Sequence, residues 1–184
     1  MTVTHALERF FAVLAIAAFV GALVLWLARP LGLRSAALAG LVDSFGELRL
    51  PAAALVAFVC MGGSLYFSQV AHFTPCRLCW IQRGFMYPLA VLLALAALRR
   101  SVGIRKIAIP MAIAGAAVSS YHIVIERNPQ LESSVCDINV PCNQIWFQEF
   151  GFITIPVMAL CGFAFIATVL ALPLAPRHAP RSTA

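Results

Sequence analysis

Four stretches of this chain, at about residues 10–28, 51–71, 107–125 and 150–172, carry no formally charged side chain, and the shortest of them is 19 residues. A helix of that length reaches ~28 Å at ~1.5 Å per residue, the thickness of a bilayer's hydrocarbon core. A fifth stretch, 80–98, is interrupted only by Arg83 near its start. In hydrocarbon every backbone N–H and C=O must be paired within the structure, and unbroken apolar runs of this length satisfy that need as helices. The chain is therefore expected to be an all-α membrane protein. Its composition agrees, at 62% hydrophobic and 11% charged residues, against ~45–50% and ~25% for soluble domains. Five spans in 184 residues leave little for a separate soluble domain.

The net charge of +6 would suggest nucleic acid in a soluble protein. Here the 13 Lys and Arg residues flank apolar runs, so they are read as orientation signals and no nucleic-acid partner is expected. Sorted between alternate loops, Arg29, Arg34, Arg49, Arg99, Arg100, Arg105, Lys106, Arg177 and Arg181 fall on one side, and Arg9, Arg77, Arg83 and Arg127 on the other. The basic side is cytoplasmic. The N-terminus then lies outside, the C-terminus inside, and the loops at 72–79 and 126–149 are exported. Glu8 and Arg9 flank the first run in place of a basic leader and small-residue cleavage site, which predicts a retained anchor. Residues 29–50, between Pro30 and Pro51, predict a short surface helix, and the proline-bearing segment 173–184 a mobile tail.

The exported loops hold four of the six cysteines: Cys76 and Cys79 as C-x-x-C, Cys136 and Cys142 as C-x5-C. Cys60 and Cys161 fall inside spans, where a lone cysteine is a small packing residue. Three chemistries suit the exported four: two structural disulfides, a four-thiolate zinc site, or a redox relay. The wide second spacing, with no flanking His, disfavours zinc. A C-x-x-C ring closes too small a loop to stabilise much, and its geometry suits reversible dithiol chemistry. Cys79 lies where the third span begins, so the positive end of the helix dipole is expected to stabilise a thiolate there. Arg83, one helical turn on, can face that thiolate or the charge on a ligand beside it.

Asp137, Ile138, Asn139, Val140 and Pro141 separate the second pair and form a turn-compatible segment that can bring the Cα atoms within the ~7 Å bridging limit. The loop is net acidic through Glu126, Glu132, Asp137 and Glu149, and long enough to meet a soluble partner. After it, Ile145, Trp146, Phe147 and Phe150 alternate with polar residues and predict a short interfacial helix that tethers the loop near the first pair.

The run Pro75-Cys76-Arg77-Leu78-Cys79-Trp80-Ile81-Gln82-Arg83, followed by Met86-Tyr87-Pro88-Leu89, resembles the signature of the disulfide bond formation protein B family. Gly63-Ser64-Leu65-Tyr66-Phe67-Ser68, Val140-Pro141-Cys142 and Phe150-Gly151-Phe152-Ile153-Thr154-Ile155-Pro156 resemble its compact BdbC-type members. The resemblance spans about 51–172. It implies a four-helix quinone-reducing bundle at 51–172, with an extra N-terminal helix and cytoplasmic linker at 1–50 and the tail at 173–184.

The implied activity is that of a membrane thiol oxidase. It would reoxidise an extracytoplasmic thioredoxin-fold disulfide donor, DsbA-like or BdbD-like, and pass two electrons to ubiquinone or menaquinone. By position, Cys136 and Cys142 match the pair that meets the partner, Cys76 and Cys79 the pair next to quinone, and Arg83 the quinone-site arginine. His122 sits where some members place a quinone-side histidine, and a bundle hydrogen bond is the other reading. The short C-x5-C spacing leaves less slack for relay than in long-loop members, and an interloop disulfide such as Cys76 with Cys142 stays open. A vitamin K epoxide reductase-like enzyme would place its loop pair before the C-x-x-C, the reverse of the order here. A scaffold with two permanent disulfides would leave Arg83 without a charge to meet.

Overall fold

The computed structural model describes residues 3–32, 36–132, 136 and 140–172. The tail at 173–184 and the turn residues Asp137, Ile138 and Asn139 lie outside the described residues.

Five helices follow one another: α1 (Val3–Gly32), α2 (Ala36–Gln69), α3 (Arg77–Arg99), α4 (Arg105–Arg127) and α5 (Ile155–Leu170). Stretches of the first four, Val3–Leu27, Leu48–Gln69, Arg77–Arg99 and Arg105–Arg127, are long and apolar enough to cross a membrane. With the shorter apolar α5 they make an all-α, multi-pass membrane protein. The described residues form no strand, only an isolated bridge between Glu149 and Ile153. Neighbouring helices in sequence pack together, and α5 also packs against α1 and α2, which makes it the centre of the bundle. Its 16 residues reach only ~24 Å. Phe163, Ile166, Val169 and Leu170 on it are fully buried.

The apolar core joins Leu89, Leu93, Ala108, Ala112, Phe163 and Ile166. Helices approach closely where side chains are smallest, since without a hydrophobic force between helices packing must hold them. A Cβ on Gly115 would overlap the ring of Phe163, and one on Gly162 would lie 2.6 Å from the sulfur of Cys60. Gly62, by contrast, faces open space.

The structure moves four boundaries. The first helix begins at Val3, upstream of residue 10, because its charges are partnered: Glu8 is buried beside His5 (2.9 Å), and Arg9 pairs with Glu149 (3.3 Å). Among the described residues of 29–50 there is no separate surface helix, since α2 continues from Ala36 through Pro51 into the second span. Proline removes one helical hydrogen bond there without ending the helix. The last helix starts at Ile155 rather than 150, because Phe150 (φ 52°) and Gly151 (φ 79°) take left-handed backbone and turn the chain. That turn, closed by Glu149 and Ile153, also replaces the interfacial helix expected at 145–150. Trp146 stacks on Phe73 (centroids 4.9 Å) and Phe147 packs on Phe67 (5.2 Å), so burying aromatic faces against the bundle prevails over helix formation. The segment still tethers the loop near the first cysteine pair, as Trp146 lines the space beside Cys79.

Candidate functional site

Both cysteine-bearing loops lie at one end of the bundle. There Cys76, Leu78, Ile125 and Cys142 form a buried cluster, with Cys79, Cys136, Val118 and Val140 packed against it. The four cysteines of the two pairs are therefore neighbours, although Cys136 lies 60 positions after Cys76 in the sequence.

Cys136 and Cys142 are joined by a disulfide, with Cα atoms 5.8 Å apart. Cys142 is buried and its N–H donates to Glu132 Oε1 (2.6 Å), while Cys136 is half-buried. Both sulfurs are used in this bond, so the four cysteines do not present one tetrathiolate site. Cys76, Cys79 and His122 form a second cluster, with donor atoms within 4.8 Å of one another.

Cys76 and Cys79 are unbonded thiols with sulfurs 3.1 Å apart. Cys76 is the N-cap of α3: its sulfur accepts from the backbone N–H of Cys79 (3.4 Å). The helix end therefore stabilises charge on Cys76 directly, while Cys79, the residue expected to hold the thiolate, sits three residues inside and serves as donor. The thiol pKa of Cys76 is lowered, chiefly by the hydrogen bond from the Cys79 side chain and further by His122, against the opposing effect of burial.

His122 is buried on α4. Its Nε2 lies 3.0 Å from the carbonyl oxygen of Cys142 and 3.6 Å from the Cys76 sulfur, and its Nδ1 lies 3.5 Å from Gln82 Nε2. A carbonyl only accepts, so the proton is assigned to Nε2, leaving Nδ1 to accept from the Gln82 amide. His122 thus faces Cys76 and the loop rather than the large cavity described next. A small cavity of about 20 Å³, the room of one water, touches Cys76, Cys79, His122, Glu126 and Gln144. Glu126, one turn beyond His122, accepts from the buried hydroxyl of Thr154 (2.7 Å).

On its other side Cys79 opens onto a cavity of about 390 Å³, almost wholly apolar, between α1, α2, α3 and α5. Arg83 lines the same cavity. Its Nε donates to Ser64 Oγ (2.9 Å) and its Nη2 to the Ser64 carbonyl (3.0 Å), with the guanidinium 5.0 Å from the Trp80 ring centroid. Tyr87 donates to the same Ser64 hydroxyl at 3.4 Å. Fixed as a fork over the indole, Arg83 sets a positive charge at the polar end of an apolar chamber. Cys60 also lines this chamber and Cys161 is buried nearby; both are free thiols, and neither lies in the four-cysteine cluster.

Gln82, Glu126, Thr154 and Glu132 complete the site; in the sequence Glu126 and Glu132 count only as acidic residues of the loop, and Gln82 and Thr154 only as members of longer motifs. Gln82 has a signal that could have found it, a polar residue facing inward on an otherwise apolar helix; the Glu132 contact with Cys142 has none, because loop conformation makes it.

Comparison with known proteins places this sequence among related ones. The family described as Disulfide bond formation protein DsbB matches residues 47–173. Disulfide bond formation protein C of Bacillus subtilis is 41% identical over 119 residues, 64% of this chain and 86% of that protein. A probable disulfide formation protein C 1 of Bacillus anthracis is 42% identical over 112 residues, 60% of this chain and 80% of its own length. A probable disulfide formation protein of Deinococcus radiodurans is 36% identical over 148 residues, 75% of this chain and 96% of its own length. No solved structure matches the chain significantly. With the matched region covering the four helices and both loops that gather the cysteines, the chain belongs to the disulfide bond formation protein DsbB family of membrane thiol-disulfide oxidoreductases.

Proposed function

We propose that this protein reoxidises an extracytoplasmic thioredoxin-fold disulfide donor and delivers the two electrons to a membrane quinone, ubiquinone or menaquinone. The observation that carries the reading is the position of Cys79, in one cluster with the loop disulfide and at the wall of the apolar chamber that holds Arg83. The charge distribution along the chain supports exported cysteine loops.

The half-buried Cys136 is the sulfur a partner thiolate reaches, with Cys142 as leaving group. Resolution by the partner's second thiol releases the oxidised partner and leaves Cys136 and Cys142 as a dithiol. Exchange with a Cys76–Cys79 disulfide then closes the loop pair again and reduces Cys76 and Cys79. An oxidised loop pair with a reduced C-x-x-C is the arrangement described above. Cys76 holds the thiolate, and His122 donates to it while also fixing the Cys142 carbonyl.

The chamber suits a quinone, a flat ring bearing two carbonyl acceptors on an apolar tail: its volume lies in the range of small-molecule sites, and its polar groups gather at one end. Arg83, Ser64 and Tyr87 would hold the ring there beside Cys79. When bound, the quinone supplies the two-electron acceptor that draws the dithiol to disulfide.

The test is anaerobic, with purified protein, a short-chain quinone and a reduced thioredoxin-fold donor. Quinone absorbance and donor thiols are followed together, with Cys79→Ser and Cys136→Ser as controls. Equal catalytic loss of both, abolished by each substitution, is expected; no consumption by a folded sample removes the reading.

A further inference from the structure

The family match begins at residue 47, so α1 lies outside it. Yet α1 supplies one wall of the chamber. Phe11, Leu14, Ala15 and Ala18 all line it, spaced so that they share one helix face. Phe11 stands at the polar end: its ring packs edge-on to Phe67 (centroids 5.6 Å), and a Cβ on Gly63 would come within 2.9 Å of it. Gly63 directly precedes Ser64, which anchors Arg83. Ala15 and Ala18 follow at ~6 and ~10 Å along the helix from Phe11. On α2, which also walls the chamber, Leu55 lies eight residues before Gly63. The chamber therefore runs from the Cys79 and Arg83 end down the inner face of α1.

Two features distinguish this face from casual packing. Beyond Phe11 and Leu14 the chamber face of α1 carries the alanines Ala15 and Ala18, which leave the volume open, while Phe10, Phe19 and Val20 are about half exposed on other faces of the helix. The helix is also pinned at the level of the site by the Arg9 to Glu149 ion pair, which ties it to the turn preceding α5.

We propose that α1 forms the tail wall of the ligand site: Phe11 stands beside the ring position, and Ala15 and Ala18 leave room for the apolar tail of a lipid-soluble quinone. This rests on the quinone reading above and makes the N-terminal helix a specificity element of this chain. Larger side chains at Ala15 or Ala18 would exclude the tail and spare the ring.

The experiment measures binding to the full chain in lipid nanodiscs by quenching of intrinsic tryptophan fluorescence, using a tail-free benzoquinone and the same ring carrying a ten-carbon alkyl tail. In parallel, a tail-end diazirine derivative is photolysed on the unaltered protein and its adducts are mapped by peptide mass. Ala15→Leu and Ala18→Phe should each weaken binding of the tailed quinone ~tenfold or more while leaving the tail-free ring within about twofold. The label should fall on the peptide containing residues 10–28. If both quinones shift alike, or labelling avoids α1 while the tail-free ring still binds, the tail-wall assignment is overturned and the quinone reading stands. If neither quinone binds the unaltered protein, both are overturned. The labelling arm needs no substitution, so a variant that fails to fold does not decide the result.

Discussion

His122 Nε2 lies 3.0 Å from the Cys142 carbonyl oxygen and 3.6 Å from the Cys76 sulfur, so one side chain of α4 touches both cysteine pairs. Removing it by His122→Ala should raise the Cys76 pKa, because a hydrogen bond to a charged acceptor contributes about 1.5–3 kcal/mol, or roughly one to two pH units. Alkylation of the reduced C-x-x-C, followed against pH in a background lacking Cys60 and Cys161, reports this directly. The rate in the variant should begin to fall at a higher pH than in the parent; superimposed profiles would show that His122 does not support the thiolate.

The lowered Cys76 pKa also sets a pH dependence of stability for the reduced protein. The native state releases the thiol proton more readily than the unfolded chain, so the contribution is fully present above the unfolded thiol's value. It is lost as pH falls from there through the native value. Thermal melts of reduced protein between pH 5 and 9 should show the parent gaining on Cys76→Ser as pH rises. A constant gap across that window would contradict the assignment.

Cys136 is half-buried and Cys142 fully buried, which assigns them different partners. A reduced thioredoxin-fold donor lacking its second thiol should open the loop disulfide of the unaltered protein, with Cys142 leaving as the thiol, and be trapped as a mixed disulfide with Cys136. Cys136→Ser should instead leave Cys142 to pair with Cys76. Peptide mass mapping under non-reducing conditions distinguishes the two, and donor adducts on Cys142 would reverse the order of attack.

Arg83 binds Ser64 through two nitrogens of its planar fork and rests over Trp80, a geometry lysine cannot reproduce. Arg83→Lys, although it keeps the charge, should raise the KM for quinone ~tenfold, equivalent to about 1.4 kcal/mol. Exchange of the loop disulfide with a dithiol donor should be unaffected. Loss of exchange together with quinone turnover would mean that the substitution disturbs the bundle rather than the chamber.

Gly115 meets the ring of Phe163 with no room for a Cβ. Gly115→Ala should destabilise the detergent-solubilised bundle by about 1–3 kcal/mol, the ordinary range for overpacking. Phe163→Leu in the same chain should restore part of that loss. Additive destabilisation in the double variant would show that the two residues are not coupled.

The membrane class and the number of apolar helices were readable from sequence, because hydrocarbon allows few backbone solutions and charge-free runs mark them, and the two cysteine pairs were visible in the segments between those runs. The residue runs around Cys76, Cys79 and Cys142 likewise resemble those of the family. What hydrophobicity could not place were the ends of the helices: Gly151 in left-handed backbone delays α5 although Phe150, Phe152 and Ile153 are apolar. Nor does spacing along one helix say which sulfur caps it: Cys76, not Cys79, takes the N-cap and with it the helix-end stabilisation of charge. Tertiary structure alone decided that His122 bridges the cysteine pairs, that Glu132 holds the Cys142 amide, and that α1 walls the chamber. Each of these contacts joins residues of different segments, and its existence depends on how helices pack and loops close, terms to which local sequence pattern is blind.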